Sequence, residues 1–334
     1  MPTSRREAIL EGIAAAQRLH AKLGLRKSIE SGAASHIDVF GIAIKQGAFL
    51  LFRPLKGLLG AYLGQPLFPS AGILISTQRD LHVQRFTAAH ELGHMDMAHT
   101  PSLDENVGLW RGESSDLQEV AADAFASEFL LPRWLYVNRA AQHKWDSKAL
   151  RRPDIVYQLS LRLGASYDAT CWGLLGHQIL PRTDVENLKK YAPQELKQEA
   201  LAGRAQLKHG WADVWIITEG DKDRKFEGSP DDIIIFKCRE RSSAGYLWDE
   251  ARLAESGLEV IDDSRVHPDG EECGGDITRV LVTKVAESRE YTVMFPERRP
   301  WSPHDELTRL SLVLDLQGKE QGLPRSARKT MAAA

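Results

Sequence analysis

Apolar positions recur at helical spacing through the first two thirds of the chain and at the two-residue spacing of strands through the last third. Ile9, Ile13, Ala16 and Leu19 share one face of a helix over residues 4–24, which Gly24 ends. IDVFGIAIKQGAFLLFRPL predicts a short helix and then a strand. A Gly/Pro-rich stretch from Gly57 to Pro69 follows, and then GILIS, Gly72–Ser76, a short strand between turn residues. A helix from about Gln84 to Ala98, a polar loop (TPSLDENVGLWRGESSD) and a second helical run, LQEVAADAFASEFLLP, come next; Pro132 ends that run. Helical patterning continues to about Lys208, with DIVYQLSLRLGASYDATCWGLLGHQIL reading as two helices joined at Gly164–Ser166.

The pattern changes after Trp211. WIIT, DIIIFKCRE, GLEVID, ITRVLVTKVA, EYTVMF and TRLSLVLDL are short strands punctuated by Gly, Pro and Asp. Leu310, Leu312, Leu314 and Leu316 alternate with Arg309, Ser311, Val313 and Asp315, the period of a half-buried strand. Several such strands predict a sandwich. From Gly318 the basic, alanine-ended tail is expected to be disordered.

Composition narrows the class. The 334 residues are 43% apolar and 27% charged, as in an ordinary globular protein of two or three domains. A net charge of −3 argues against a protein built to grip phosphate backbones, so no direct nucleic-acid partner is expected. Cys171, Cys238 and Cys273 are scattered, forming neither a disulfide framework nor a C-x-x-C knuckle. The first helix is amphipathic rather than a leader, and no apolar run approaches the roughly 20 residues that span a bilayer. A cytoplasmic protein without a membrane partner is expected.

The chemistry concentrates in RFTAAHELGHMDMAH, Arg85–His99. His90 and His94, four apart, share a helix face and can reach one ion, and Glu91 lies one step round from His90. Zinc would lower the pKa of a bound water to about 7, and Glu91 is placed to take its proton. A third ligand is needed. Thr100 stands where a third histidine of H-E-x-x-H-x-x-G-x-x-H would be, and His99 is out of place by one, which leaves it a structural reading. Glu119, with Asp123 on the same face of an apolar helix, is the other option. Like charges four apart repel by about 0.2–0.5 kcal/mol in an isolated helix, so a nearby cation would explain the pair. Asp123 would then accept the free N–H of a ligand histidine. Alternatively, Glu119 is the third residue of a capping box begun by Asp116. Ile73, Leu74 and Ile75, in a short strand just before the motif helix, are the expected substrate-binding edge. For the oxyanion, Arg85, His99, Tyr136 and His143 are candidates without a spacing argument.

RFTAAHELGH followed by EVAADAFASEFLLP resembles the ImmA/IrrE family of metallopeptidases over about residues 8–180. In that family a zinc-binding helix precedes a glutamate helix of the form E-x-x-A-(N/D)-x-F-A, positions held here by Glu119, Ala122, Asp123, Phe125 and Ala126. The resemblance implies His90, His94 and Glu119 as ligands of one Zn2+ (with Mn2+ as the other metal considered), Glu91 as general base, and a zincin-type fold. It also implies a helix-turn-helix transcriptional repressor as substrate, in a stress-response or mobile-element switch. A second resemblance lies in the β-rich part. RSSAGYLW (Arg241–Trp248), ECGG (Glu272–Gly275) and RPW (Arg299–Trp301) are similar, in order, to the three loop motifs of chagasin-type cysteine-peptidase inhibitors, which are immunoglobulin-like. Arg241–Ala244 and Glu272 depart from the inhibitor motifs, so these loops are read as recognising another protein partner.

The expected class is therefore α+β: a zincin-type metallopeptidase domain with a helical extension, followed by an all-β immunoglobulin-like sandwich. The expected layout is a peptidase domain at 1–135, an extension at 136–209 packing on it, a sandwich at 210–317 folding independently, and a disordered tail at 318–334. The leading function is a zinc-dependent endopeptidase. A protein-binding or peptidase-inhibitor module with a secondary metal site is the alternative. A DNA-binding role for residues 154–180 is disfavoured, because SYDATCWGLLGHQ has no arginine or lysine.

Overall fold

The computed structural model describes residues 2–31, 36–64, 70–100, 116–267 and 277–333. The chain divides into two units, residues 1–136 with 319–334 and residues 137–318. Most of the expected polar loop after the motif helix, and all of the Glu272–Gly275 motif, lie outside the described residues. Helix and strand segregate along the chain as an α+β protein requires. No helix among the described residues is long and apolar enough to cross a membrane.

The first unit begins with α1 (Arg5–Leu23), whose N-cap Ser4 accepts from Glu7 N and whose C-cap Gly24 is left-handed at φ 61°. A short α2 (Leu25–Glu30) and α3 (Val39–Lys45) lead to β1 (Phe49–Arg53), β2 (Gly60–Leu63) and β3 (Gly72–Ser76). The motif helix α4 (Leu81–Asp96) and the glutamate helix α5 (Leu117–Leu130) follow. Small residues let the helices approach closely. A Cβ on Gly12 would lie 2.1 Å from Ala121 O, and one on Gly93 would lie 2.9 Å from the Phe125 ring. Ala8, Ala15 and Ala16 of α1 and Ala121, Ala122 and Ala126 of α5 are wholly buried. The α4 residues from Gln84 to His94, Phe86 apart, are buried too, so polar side chains there face protein rather than water.

Two features of this unit depart from the sequence reading. The strand order is β1-β3-β2, with Leu74 registered against Leu51 of β1 on one side and Ala61 of β2 on the other. The backbone of Ile73, Leu74 and Ile75 is therefore the middle of the sheet, and no open edge exists there for a peptide to join. The missing strand, β2, lay in the glycine-rich stretch read as a loop. Gly60 sits within that strand because a Cβ there would meet Thr87 Cγ2 at 2.3 Å and Leu74 O at 2.8 Å.

The second departure is the tail. Residues 319–333, expected to be disordered, pack on the first unit. The fully buried Gln84 amide donates to Glu320 O (3.0 Å) and Ser76 O (3.2 Å), and its Oε1 accepts from Glu320 N (2.8 Å). Gly322 exchanges backbone bonds with Phe52 of β1, so the tail covers that edge of the sheet. A helix, Arg325–Ala333, completes the segment. Composition alone suggested disorder because the segment carries little apolar surface; its order comes from backbone pairing to a side chain on α4.

In the second unit, which begins within α6 (Arg133–Gln142), α7 (Pro153–Leu163) and α8 (Tyr167–Gly176) are joined by left-handed Gly164 and N-cap Ser166, as the sequence indicates. Two further helices, α9 (Arg182–Leu188) and α10 (Pro193–Leu201), precede the strands. One sheet has the order β4 (Val214–Ile217), β6 (Ile233–Glu240), β9 (Ile277–Val285), β8 (Leu258–Val266). The other has β5 (Arg224–Glu227), β11 (Ser302–Asp315), β10 (Glu290–Arg299), β7 (Leu247–Trp248). Leu310, Leu312, Leu314 and Leu316 are all buried, as the alternation requires. Phe236 of one sheet meets Phe295 of the other with ring centroids 5.5 Å apart.

The helical extension and the sandwich are one unit rather than two. The outer edge of β4 is hydrogen-bonded by side chains of α7: Tyr157 Oη accepts from Val214 N (3.0 Å), Gln158 bonds Val214 O and Ile216 N (2.8 Å each), and Arg162 donates to Ile216 O (2.7 Å). Arg162 also forks onto Asp221, at 2.9 and 2.7 Å. The change of periodicity near residue 210 marks a change of element, and it does not mark a change of fold. Cutting there would strip a buried strand edge of its partners. Cys171 and Cys238 are buried and free, and burial pushes the Cys171 thiol up to about 12, so neither is a reactive thiolate.

Removing residues 319–334 should lower the thermal midpoint measurably. The buried Gln84 amide would lose both Glu320 partners, at about 1–3 kcal/mol per unsatisfied group. A protein ending at Gly318 that melts like the full chain, by circular dichroism, would show that this segment contributes nothing to the fold.

Candidate metal centre

Capping and packing set the site. Asp80 caps α4 by accepting from Val83 N at 3.0 Å. Asp116 caps α5 through Gln118 N at 2.8 Å, which places Glu119 in the first turn of α5. The Glu119 carboxylate does not turn back to close a capping box. It faces the histidines of α4, with Oε2 3.1 Å from His90 Nε2 and Oε1 3.3 Å from His94 Nε2. The two Nε2 atoms are 3.0 Å apart. All three side chains are buried, and among the described residues this is the one group of three or more His, Cys, Asp or Glu side chains that can hold a metal ion.

The donor set fits such an ion. Zinc bonds of about 2.0–2.1 Å place tetrahedral ligand atoms roughly 3.3 Å apart, close to the separations here. Proton positions point the same way. His90 Nδ1 lies 2.9 Å from Asp123 Oδ1, so Nδ1 carries the proton in the neutral ring and Nε2 presents a lone pair toward the Glu119 carboxylate. Two lone pairs facing each other in a buried space require a positive charge, either a second proton or a metal. Without metal the proton serves. Burial pulls the His90 pKa down, but hydrogen bonds to Asp123 and Glu119 and the charge of Glu91 outweigh it and lift His90 to about 10. Burial raises the Glu119 pKa, and the histidine hydrogen bonds more than reverse this, holding the carboxyl far below its usual range.

Glu91 lies beside the cluster. Burial raises its carboxyl above the ordinary range, opposed by the charges of His90 and His94 and by a hydrogen bond from Tyr62 N of β2. A Cβ on Gly60 would come within 3.1 Å of Glu91 Oε1, so β2 passes close against this carboxylate. Asp123 and the three candidate ligands thus converge as the sequence reading places them. Ile73, Leu74 and Ile75 do not offer the expected edge, and β2 is the terminal strand nearest Glu91. His99, read as structural, sits against the cluster with its Nδ1 3.0 Å from His94 Nδ1. Its pKa falls to about 4 through burial and the neighbouring His94, so it is neutral at pH 7. Of the other oxyanion candidates, Arg85 donates to Ile37 O, Tyr136 is buried, and His143 belongs to the second unit, where it bonds Asp221.

Paired histidines on one helix, a glutamate on the next and a buried carboxylate at the second motif position define a metallopeptidase-like site. Residues 45–175 match the family model of the IrrE N-terminal-like domain, Peptidase_M78, which spans β1 to α8 and so includes each of these side chains. The chain is also similar to the crystal structure of a cysteine protease inhibitor, EhICP2, from Entamoeba histolytica. That match has 21% identity and a TM-score of 0.28, and covers 32% of this chain and 99% of that one. A comparison with curated proteins finds no significant match.

The metal-free protein should show a specific pH dependence. His90, raised from 6.5 to about 10 on folding, contributes stability that is complete below pH 6.5 and lost as pH rises through about 10. Glu119, depressed from 4.5, contributes stability that is present above pH 4.5 and lost in acid. Glu91, raised by burial, acts in the same direction as His90. Chelator-treated protein should therefore melt lower at pH 9.5 than at pH 6, and His90→Asn should reduce that difference. Equal pH dependence in the variant would show that His90 is not the group responsible.

Proposed function

We propose that this protein is a zinc-dependent endopeptidase. The observation that carries the reading is the buried convergence of His90, His94 and Glu119 with Glu91 beside it. An ion held by those three side chains would polarise a scissile carbonyl and acidify a water. Glu91 takes the proton of the attacking water and passes it to the leaving amine. Its burial raises its pKa toward the range where a carboxylate can do both. Asp123 holds His90 by accepting from Nδ1, which keeps Nε2 available for binding.

The substrate lies extended along the outer edge of β2, the end strand of its sheet among the described residues. Gly60 of that strand lies close against the Glu91 carboxylate, which brings a peptide paired there to the general base. By family resemblance the substrate is a helix-turn-helix transcriptional repressor, and Mn2+ is an alternative native metal.

A second reading applies to the second unit. Trp301, 71% exposed, packs on Gly245, and Arg299 stacks on Tyr246 at 4.6 Å while pairing with Asp305, to which Tyr246 also donates. Two of the three inhibitor-like loops thus form one aromatic surface, which supports a protein-recognition role for this face.

Purified protein should hold one divalent ion per chain, read by elemental analysis. His90→Ala or Glu119→Ala should lose it, and Glu91→Gln should keep it while abolishing cleavage. A fully active Glu91→Gln protein would assign the proton transfer elsewhere. If the peptide pairs with β2, backbone N-methylation at alternate residues of a cleavable peptide should slow turnover. A loss of about two- to tenfold per methyl corresponds to one hydrogen bond of about 0.5–1.5 kcal/mol. Uniform tolerance of N-methylation would remove strand pairing from the account.

A further inference from the structure

His90 and His94 are alike in the sequence motif but not in their surroundings. His90 has a carboxylate, Asp123, on its Nδ1. His94 has His99 there instead, with the two Nδ1 atoms 3.0 Å apart and the rings 4.9 Å apart at 72°. This contact is built by the backbone. α4 ends at Asp96, and Ala98 then adopts a left-handed conformation at φ 53°. A non-glycine residue in that region is strained unless the surroundings hold it. The turn brings His99 N to His94 O at 2.9 Å and folds the His99 ring back over the last turn of the helix. Gln118 of α5, one residue before Glu119, accepts from the next amide, Thr100 N, at 3.0 Å.

The roles of three ring nitrogens follow. His94 Nε2 lies within the ligand cluster, 3.0 Å from His90 Nε2 and 3.3 Å from Glu119. A neutral imidazole that offers its Nε2 lone pair must carry its proton on Nδ1. His94 Nδ1–H therefore donates, and His99 Nδ1 accepts.

We propose that His99 is a positioning residue for the metal centre, holding His94 in the Nδ1–H tautomer with its Nε2 lone pair aimed at the ion. The proposal rests on reading the cluster as a metal site. It adds that the two histidines are oriented differently, His90 by a carboxylate and His94 by a second imidazole. The difference matters for charge. Glu119, Asp123 and Glu91 already place three carboxyl groups at the centre, so an imidazole partner for His94 adds no further buried negative charge.

The test is zinc affinity of the full chain, by competition with a chromophoric chelator, together with the visible spectrum of the cobalt-substituted protein. His99→Leu should bind zinc about 10–100-fold more weakly, with an altered cobalt spectrum. His99→Asn places an amide oxygen where Nδ1 was and should restore affinity to within about threefold, the scale of one neutral hydrogen bond. His99→Gln, whose polar atoms reach instead toward the position of Nε2, should not restore it, and this comparison serves if the Leu variant does not fold. Wild-type affinity and spectrum in His99→Leu, or equal losses in the Asn and Gln variants, would overturn the assignment while leaving the metal centre intact. Wild-type protein that binds no zinc would instead overturn the metal reading and this proposal together.

Discussion

Two imidazole nitrogens and a carboxylate lie 3.0–3.3 Å from one another between two tightly packed helices. Their lone pairs face each other where little water can screen them, so the arrangement is tolerable only with positive charge at its centre. A proton on His90 meets that need in the metal-free protein, and a divalent ion would meet it as well. Asp123 contacts one ring at Nδ1 and His99 the other, and both contacts lie opposite the nitrogens that converge with Glu119.

Close packing is what allows this cluster to exist. Glycine at 12 and 93 and alanine along α1 and α5 bring the backbones near enough for Glu119 to reach across to both histidines. A similar economy places β2. The absence of a side chain at Gly60 lets the strand lie against Thr87 and Glu91, so one glycine sets the distance between that carboxylate and the outer edge of the sheet. The C-terminal segment then hydrogen-bonds to Gln84, near the start of the same helix, and closes the opposite side of the sheet at Phe52.

The second unit shows the same physics with a different outcome. Asp221 is as buried as the cluster carboxylate, but Arg162 meets both of its oxygens and His143 lies 3.1 Å from one of them. That group is satisfied by protein alone, and its effect is to bind the helical extension to the sandwich. A buried carboxylate with its full complement of donors is structural; one surrounded by other acceptors asks for a cation.

The sequence by itself indicated the candidate ligands, because helical spacing is local. His90 and His94 four apart, and Glu119 with Asp123 four apart, define faces whatever the rest of the chain does. It likewise indicated the change from helices to strands along the chain, the joint at Gly164–Ser166 and the inward leucines of β11. Only the tertiary structure decided which strand is an edge, since order within a sheet depends on pairing between distant residues and leaves no trace in the period of any one strand. GILIS reads the same at the centre of a sheet as at its border, and Gly60 reads as a turn until Thr87 is seen beside it. The return of residues 319–333 to the first unit and the fusion of extension and sandwich were hidden for the same reason. Each rests on side chains, Gln84 in one case and Tyr157, Gln158 and Arg162 in the other, bonding to backbone that is remote in sequence. The partnership of His99 with His94 depends on a left-handed Ala98, a conformation that glycine would have advertised and alanine conceals.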